Sequence, residues 1–320
     1  MSEQHPIRRI ALVGFGEVGR IFGHDLARQG LELSTYDILL DAPTARPAML
    51  EQARAAAVAP LDTLGAAVGR ADLVISAVTA SSSRDVARDA ARWLRPGQYF
   101  LDINSVSPET KRGNARTVEA SGADYVEAAV MAPVPPQRLA VPMLLGGRRA
   151  SVLAAALKAF GMNATAVADE IGTASAIKMC RSIMIKGIEA LVVECTFAAR
   201  RFGAEQAVLA SLDKTFPHMG WNAELPDYLV SRVAEHGRRR AAEMREVALT
   251  LEEVGVRPIM AAATAERHDA LVRQMADAGM PYPAGGKFSW RSLADALAAG
   301  GAQPQSGTPE TPRPPTLERR

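Results

Sequence analysis

Short apolar runs alternate with amphipathic, alanine- and arginine-rich stretches through the first half of the chain. The runs fall at 7–13, 31–36, 72–78, 98–102, 124–130, 141–146 and 163–168. Each carries Val, Ile, Leu or Tyr and is bounded by Gly, Pro, Asp or Ser, which predicts buried strands. Helical patterns lie between them, near 17–29, 46–57, 62–68, 82–94, 108–121 and 150–160. Pro108 with Glu109 behind it marks one helix start. Near Ile171 the alternation stops. Helical patterns at 172–202, 237–254 and 259–279 follow, with no convincing strand up to about residue 300. The first is nearly all apolar and ends in Arg200-Arg201-Phe202-Gly203, basic residues and then glycine, as a helix C-terminus prefers.

The first strand runs into Gly14-Phe15-Gly16-Glu17-Val18-Gly19 and leaves as a helix. In a strand–turn–helix, Gly14 permits the tight turn, Gly16 removes a Cβ that would block a phosphate, and Gly19 lets the helix approach the strand. The helix start aims unpaired N–H groups at the anion. Asp37 closes the second strand about 20 residues later, where an acid meets ribose hydroxyls. The expected fold is α/β. A Rossmann-type, doubly wound parallel sheet spans 1–168, an all-α domain 169–300, and a Pro-, Gly- and Thr-rich disordered tail 301–320. The expected cofactor is NAD, because a carboxylate at Asp37 repels a 2′-phosphate; NADP stays open through Arg46.

Composition narrows the function classes. Net charge is +2 with both signs interspersed, so neither nucleic acid nor a membrane surface is an expected partner. No uncharged apolar stretch reaches about 18 residues, and the start MSEQHPIRRI has no apolar signal core. Cys180 and Cys195 fit no metal or redox spacing and read as reduced core thiols of a cytoplasmic protein. Arg238-Arg239-Arg240 reads as a solvated or subunit-facing surface. Only six of the 37 basic residues are lysines, so a lysine in an apolar setting carries information.

Ligands bind at the carboxyl ends of parallel strands. Asn104 and Ser105, after the 98–102 strand, are placed to bind a nicotinamide or ribose, and the same loop can serve as a helix cap through Ser107. Val78 and Thr79, at the end of the 72–78 strand, join the cofactor set. Lys178 sits early in the long apolar helix, with Ser175, Ser182 and Ile185 on its face. Facing an apolar cleft it would have a lowered pKa and serve as a proton donor and acceptor. Facing outward it would snorkel to solvent.

Taken together, these motifs resemble those of the β-hydroxyacid dehydrogenase family, of 3-hydroxyisobutyrate and 6-phosphogluconate dehydrogenase type. The resemblance extends to about residue 280. The glycine turn matches Gly14–Gly19, the family's Asp-x-Ser-Ser/Thr-x-x-Pro loop looks like Asp102–Pro108, and its lysine helix resembles Gly172 to Ser182. The stretch 236–246 resembles the C-terminal domain of a phosphogluconate dehydrogenase-like branch. The resemblance implies hydride transfer between a nicotinamide and a hydroxyl-bearing carbon of a small hydroxyacid, with Lys178 as the catalytic lysine.

Three departures qualify what the resemblance implies; one is that the family's lysine–aspartate pair in the C-terminal domain is not evident, with Ala242-Glu243 near that place. The asparagine one turn after the lysine is Ser182 here. The family's substrate segment Asp-x-Pro-Val-Ser-Gly-Gly corresponds to Glu127-Ala128-Ala129-Val130-Met131-Ala132-Pro133, with no serine or glycine pair. Candidate substrate contacts are then Ser105, Met131, Arg138, His218 and His236. A homodimer with a cleft partly at its interface is expected from the apolar helix. Imine reduction and non-catalytic NAD binding as a redox sensor are the alternatives.

Overall fold

The computed structural model describes residues 7–283 and 288–300; the expected tail at 301–320 lies outside them. In order, the elements are β1 (Arg9–Val13), α1 (Glu17–Ala27), β2 (Glu32–Tyr36), α2 (Arg46–Ala55), β3 (Ala59–Pro60), α3 (Leu64–Val68), β4 (Leu73–Ser76) and α4 (Ser83–Ala91). Next come β5 (Tyr99–Asp102), α5 (Pro108–Glu119), β6 (Asp124–Val130), α6 (Val134–Gln137), β7 (Met143–Gly146), α7 (Ala150–Ala159) and β8 (Ala164–Ala168). The helices α8 (Thr173–Arg201), α9 (Glu205–Thr215), α10 (Leu225–Glu253), α11 (Ile259–Asp277) and α12 (Trp290–Gly300) complete the set.

The strands form one sheet in the order β3-β2-β1-β4-β5-β6-β7-β8. Every pairing is parallel except β6 with β7. A chain that turns back after β6 through the short α6 has no crossover helix with which to start a parallel neighbour, so β7 pairs antiparallel. The strand order reverses at β1, between β2 and β4, which puts the glycine turn at the switch point of the sheet. One face is covered by α1 with α7, where Phe22, Leu26, Leu153 and Leu157 are buried with Ile10, Leu12 and Ile75. The other is covered by α3, α4 and α5 over Val13, Val74, Phe100 and Tyr125.

The chain divides into two compact units, Met1–Ala190 with His236–Asp269, and Leu191–Glu235 with Ala270–Arg320. The division falls inside α8, α10 and α11. In the first unit the early part of α8 packs through Met179 on Ala241, Met244 and Val247 of α10 and Ala261 and Ala265 of α11. In the second, Arg200 pairs with Glu205 and Asp295, and Asp227 accepts from the Trp290 N–H at 2.8 Å to cap α12.

Two sequence expectations change at this level. Cys180 and Cys195 are both exposed rather than in the core, because α8 turns that face outward with Ile177, Met184 and Leu191. Arg240 is buried, its charge met by Glu189, so the arginine run is not uniformly a solvated surface.

Beneath the carboxyl end of β5 lies a closed polar network. Asp102 accepts from Lys111 Nζ (2.9 Å), Tyr125 Oη (2.7 Å), Asn114 Nδ2 (3.1 Å) and the Asn104 N–H (2.9 Å). Lys111 also donates to the Asp102 carbonyl at 2.7 Å, and both side chains are about fully enclosed. Asp102→Ala leaves a buried ammonium without its counter-charge. It is expected to cost about 3–5 kcal/mol in chemical denaturation. A loss below about 1 kcal/mol would show that Lys111 finds other compensation.

Candidate active site

Gly14 adopts φ +90°, and its N–H donates to the Tyr36 carbonyl at 2.9 Å. A Cβ there would press into the Ala77 carbonyl, and one on Gly19 would collide with the Gly14 carbonyl. Gly16 differs. Nothing lies within 4 Å of where its Cβ would stand, so the space above it is open. No side chain caps the start of α1, which leaves its first N–H donors for a ligand. Phe15 and Val18 point into the core, while Glu17 stands exposed beside the turn. The cradle therefore fits a dinucleotide's pyrophosphate.

Asp37 binds the turn to the second strand. Its carboxylate accepts from the Phe15 N–H (2.7 Å) and the Leu39 N–H (2.9 Å). A carboxylate has about four acceptor positions, so two remain for ribose hydroxyls. Arg46 is engaged elsewhere, donating to the Leu40 carbonyl at 2.7 Å and to Asp62 at 2.5 Å.

At the next strand ends, Asn104 is buried and its side chain is spent inside the protein. It accepts from the Val78 N–H at 2.7 Å and donates to Ser76 and Ser83. It thus shapes the loop at Val78 and Thr79. Ser105 beside it is only half-buried, and Thr79 is exposed with its hydroxyl near Ser81 and Ser82.

The lysine helix is anchored by a residue that the sequence placed in the substrate segment. Glu127 has no exposed surface. Its carboxylate accepts from the N–H groups of Gly172 (2.6 Å), Ala174 (3.1 Å) and Ser175 (3.3 Å) and from Ser175 Oγ (2.7 Å). This caps the start of α8, where a negative charge also complements the helix dipole. Lys178 follows Ser175 by one turn. Burial pushes its pKa down to about 8, against the pull of Glu243 and with further lowering from Lys186, Lys111 and Arg239.

Ser182 and Lys186 continue the same face of α8 at i+4 and i+8. Lys186 Nζ donates to Ser182 Oγ at 3.1 Å and pairs with Glu243 Oε2 at 2.8 Å. Desolvation alone would raise the Glu243 pKa, but Lys186 and Lys178 bring it below its usual value. α10 is held against this end of the sheet by carboxylates at the start of α5. Glu246 accepts from the Ser107 N–H at 2.9 Å, and Glu253 from the Glu109 N–H at 3.1 Å. Arg239, on the same helix, stands 4.0 Å from Glu17.

The structure therefore gathers Gly14–Gly19, Asp37, Val78, Thr79, Asn104 and Ser105 at the carboxyl ends of β1, β2, β4 and β5. Met131, half-buried, follows β6. Arg138 is not among them. Its guanidinium pairs with Asp25 at 2.6 and 2.8 Å, two turns along α1 from the glycine end. His236 is half-buried on α10, one turn before Arg240. His218 is exposed at φ +69° in the second compact unit. Lys186 and Glu127 were not among the sequence candidates; the i+8 spacing from Lys178 was the one available signal.

A family model described as the NAD binding domain of 6-phosphogluconate dehydrogenase matches residues 9–172, and one described as a domain of unknown function (DUF1932) matches 199–271. The solved structure of a conserved hypothetical protein from Sinorhizobium meliloti is 38% identical, with TM-score 0.74, covering 93% of this chain and 98% of that one. A conserved protein of unknown function, described as structurally similar to 3-hydroxyacid dehydrogenases, is 31% identical with TM-score 0.67, covering 92% and 100%. Mitochondrial 3-hydroxyisobutyrate dehydrogenase of Drosophila melanogaster is 25% identical over 230 residues, 70% of this chain and 68% of its own.

The Glu127 cap is directly testable. Glu127→Ala removes a charged acceptor from several amides and is expected to weaken the first turn of α8 by about 3 kcal/mol. Amide exchange at Gly172–Ser175 should then accelerate on the order of a hundredfold. Unchanged protection there would show that the turn is held by packing alone.

Proposed function

The chain belongs to the β-hydroxyacid dehydrogenase family, and from that premise we propose that it oxidises the hydroxyl-bearing carbon of a small hydroxyacid or related alcohol, reversibly, with Lys178 as general acid and base. The supporting observation is the half-buried lysine with a pKa lowered to about 8, one turn from a capped helix start. The Rossmann domain takes NAD(P), and a bound nicotinamide supplies hydride exchange at its ring. Asp37, with Arg46 held by Asp62, favours NAD.

Lys178 as the neutral amine removes the hydroxyl proton during oxidation, and as the ammonium returns it during reduction. Ser182 accepts from Lys186, which leaves its own O–H to donate toward Lys178 or the substrate oxygen. Ser105 offers a second hydroxyl from the end of β5. Met131 gives an apolar wall, and His236 is the remaining polar candidate on the α10 side. The exposed Ile177, Met184 and Ile185 on α8 support a homodimer. One feature favours a second reading, an imine reductase: residues Ala128 to Pro133 offer no hydroxyl or glycine amides with which to hold a carboxylate.

Lys178→Ala is expected to bind NADH within about threefold of the parent while turnover falls at least about a hundredfold. Hydroxyacids and cyclic imines, followed at the NADH absorbance, separate the two chemistries. The base works only when neutral. Oxidation kcat/KM should therefore be lost as pH falls through about 8, and reduction lost as pH rises through it. Near-parent turnover in Lys178→Ala would remove the lysine from the mechanism.

A further inference from the structure

Lys186 is a second lysine in a low-dielectric setting, two turns along the face that carries Lys178, and the hydride-transfer chemistry makes no direct use of it. Only about 5% of its surface is exposed. Its ammonium nevertheless bonds both to Ser182 and to Glu243. Two ammoniums thus share one nearby carboxylate, and the geometry gives the short contact to the lysine that is farther along the helix. Lys111 and Arg239 also lower the Lys178 pKa, and Arg239 also acts on Glu243, each more weakly than Lys186. Lys111 is met by Asp102, Arg240 by Glu189, and Arg239 stands near Glu17. His268, fully enclosed on α11, has its pKa lowered to about 4 by burial and by Arg240 and Lys186, so its ring is neutral.

We propose that Lys186 is a positioning residue for this site: it holds the Glu243 carboxylate away from Lys178 and fixes the Ser182 hydroxyl with its proton free to donate. The proposal rests on Lys178 being the acid/base. Without Lys186, Lys178 is the cation that acts most strongly on Glu243, ahead of Arg239. An ion pair between them would hold Lys178 as an ammonium, which cannot accept a proton from a hydroxyl. Ser182 would also lose its donor and turn freely.

The test is NMR titration of the full chain carrying 13Cε-labelled lysine. Six lysines give a simple spectrum, and the Lys178 signal is identified by its loss in Lys178→Arg. Lys186→Met is expected to raise the Lys178 midpoint by about one pH unit or more. Glu243→Gln should then lower the midpoint by more in the Lys186→Met background than in the parent, because without Lys186 the carboxylate acts on Lys178 at full strength. Lys186→Arg, which keeps the cation, should stay near the parent. An unchanged midpoint in Lys186→Met overturns the proposal. So does an equal lowering by Glu243→Gln in both backgrounds, which would mean only that Lys178 had lost the direct repulsion of Lys186. Where Lys186→Met fails to fold, Lys186→Gln replaces it in the same cycle, with the same outcomes for and against. The titration reads Lys178 without turnover, so an inactive protein with these shifts would refute the dehydrogenase reading and leave the Lys186 role standing.

Discussion

The place of Lys178 depends on one buried carboxylate. Glu127 projects from β6 with no exposed surface and takes the first N–H groups of α8 together with the Ser175 hydroxyl. A charge so enclosed is tolerable only when its acceptor positions are filled. Its neighbours are shaped to allow that. A Cβ on Gly146 would collide with the Glu127 side chain, and Gly172 turns into the helix at φ +108°. A rigid link from the sheet to the first turn of α8 then sets the lysine one turn further on.

A second set of carboxylates completes the site from the other direction. Glu246 and Glu253 meet the N–H groups at the start of α5, where the helix dipole favours negative charge. That docking brings the His236–Asp269 part of the first unit against the loop after β5. Glu243 and Arg239 come with it, and through them the electrostatics of Lys178. Burial lowers the affinity of that amine for a proton, Glu243 restores part of it, and the surrounding cations settle the balance near neutrality.

Local patterns in the sequence are legible where a single segment determines its own structure. All seven apolar runs became strands, and Gly14, Gly16, Gly19 and Asp37 stand where a strand–turn–helix requires them. The two-residue β3 is not legible in the sequence, because Ala59 and Pro60 carry no strand pattern. The antiparallel β7 was hidden because an apolar run does not announce its direction. Pairings between distant residues leave no local mark in the sequence. Nothing near Glu127 shows that its partners lie 45 to 48 residues away. Nor does Arg138 reveal that Asp25, more than a hundred residues earlier, takes its charge. Arg240 looked like part of a solvated run because Glu189 lies on another helix.

A structure with bound NADH tests the central claim most directly. The account predicts Lys178 Nζ on the open side of the nicotinamide, separated from C4 by the width of one hydroxyl-bearing carbon, on the order of 5 Å. Pyrophosphate over Gly16 and ribose hydroxyls on Asp37 should accompany it. A nicotinamide ring lying roughly 10 Å or more from Nζ, or with its open side turned away from α8, would contradict the account.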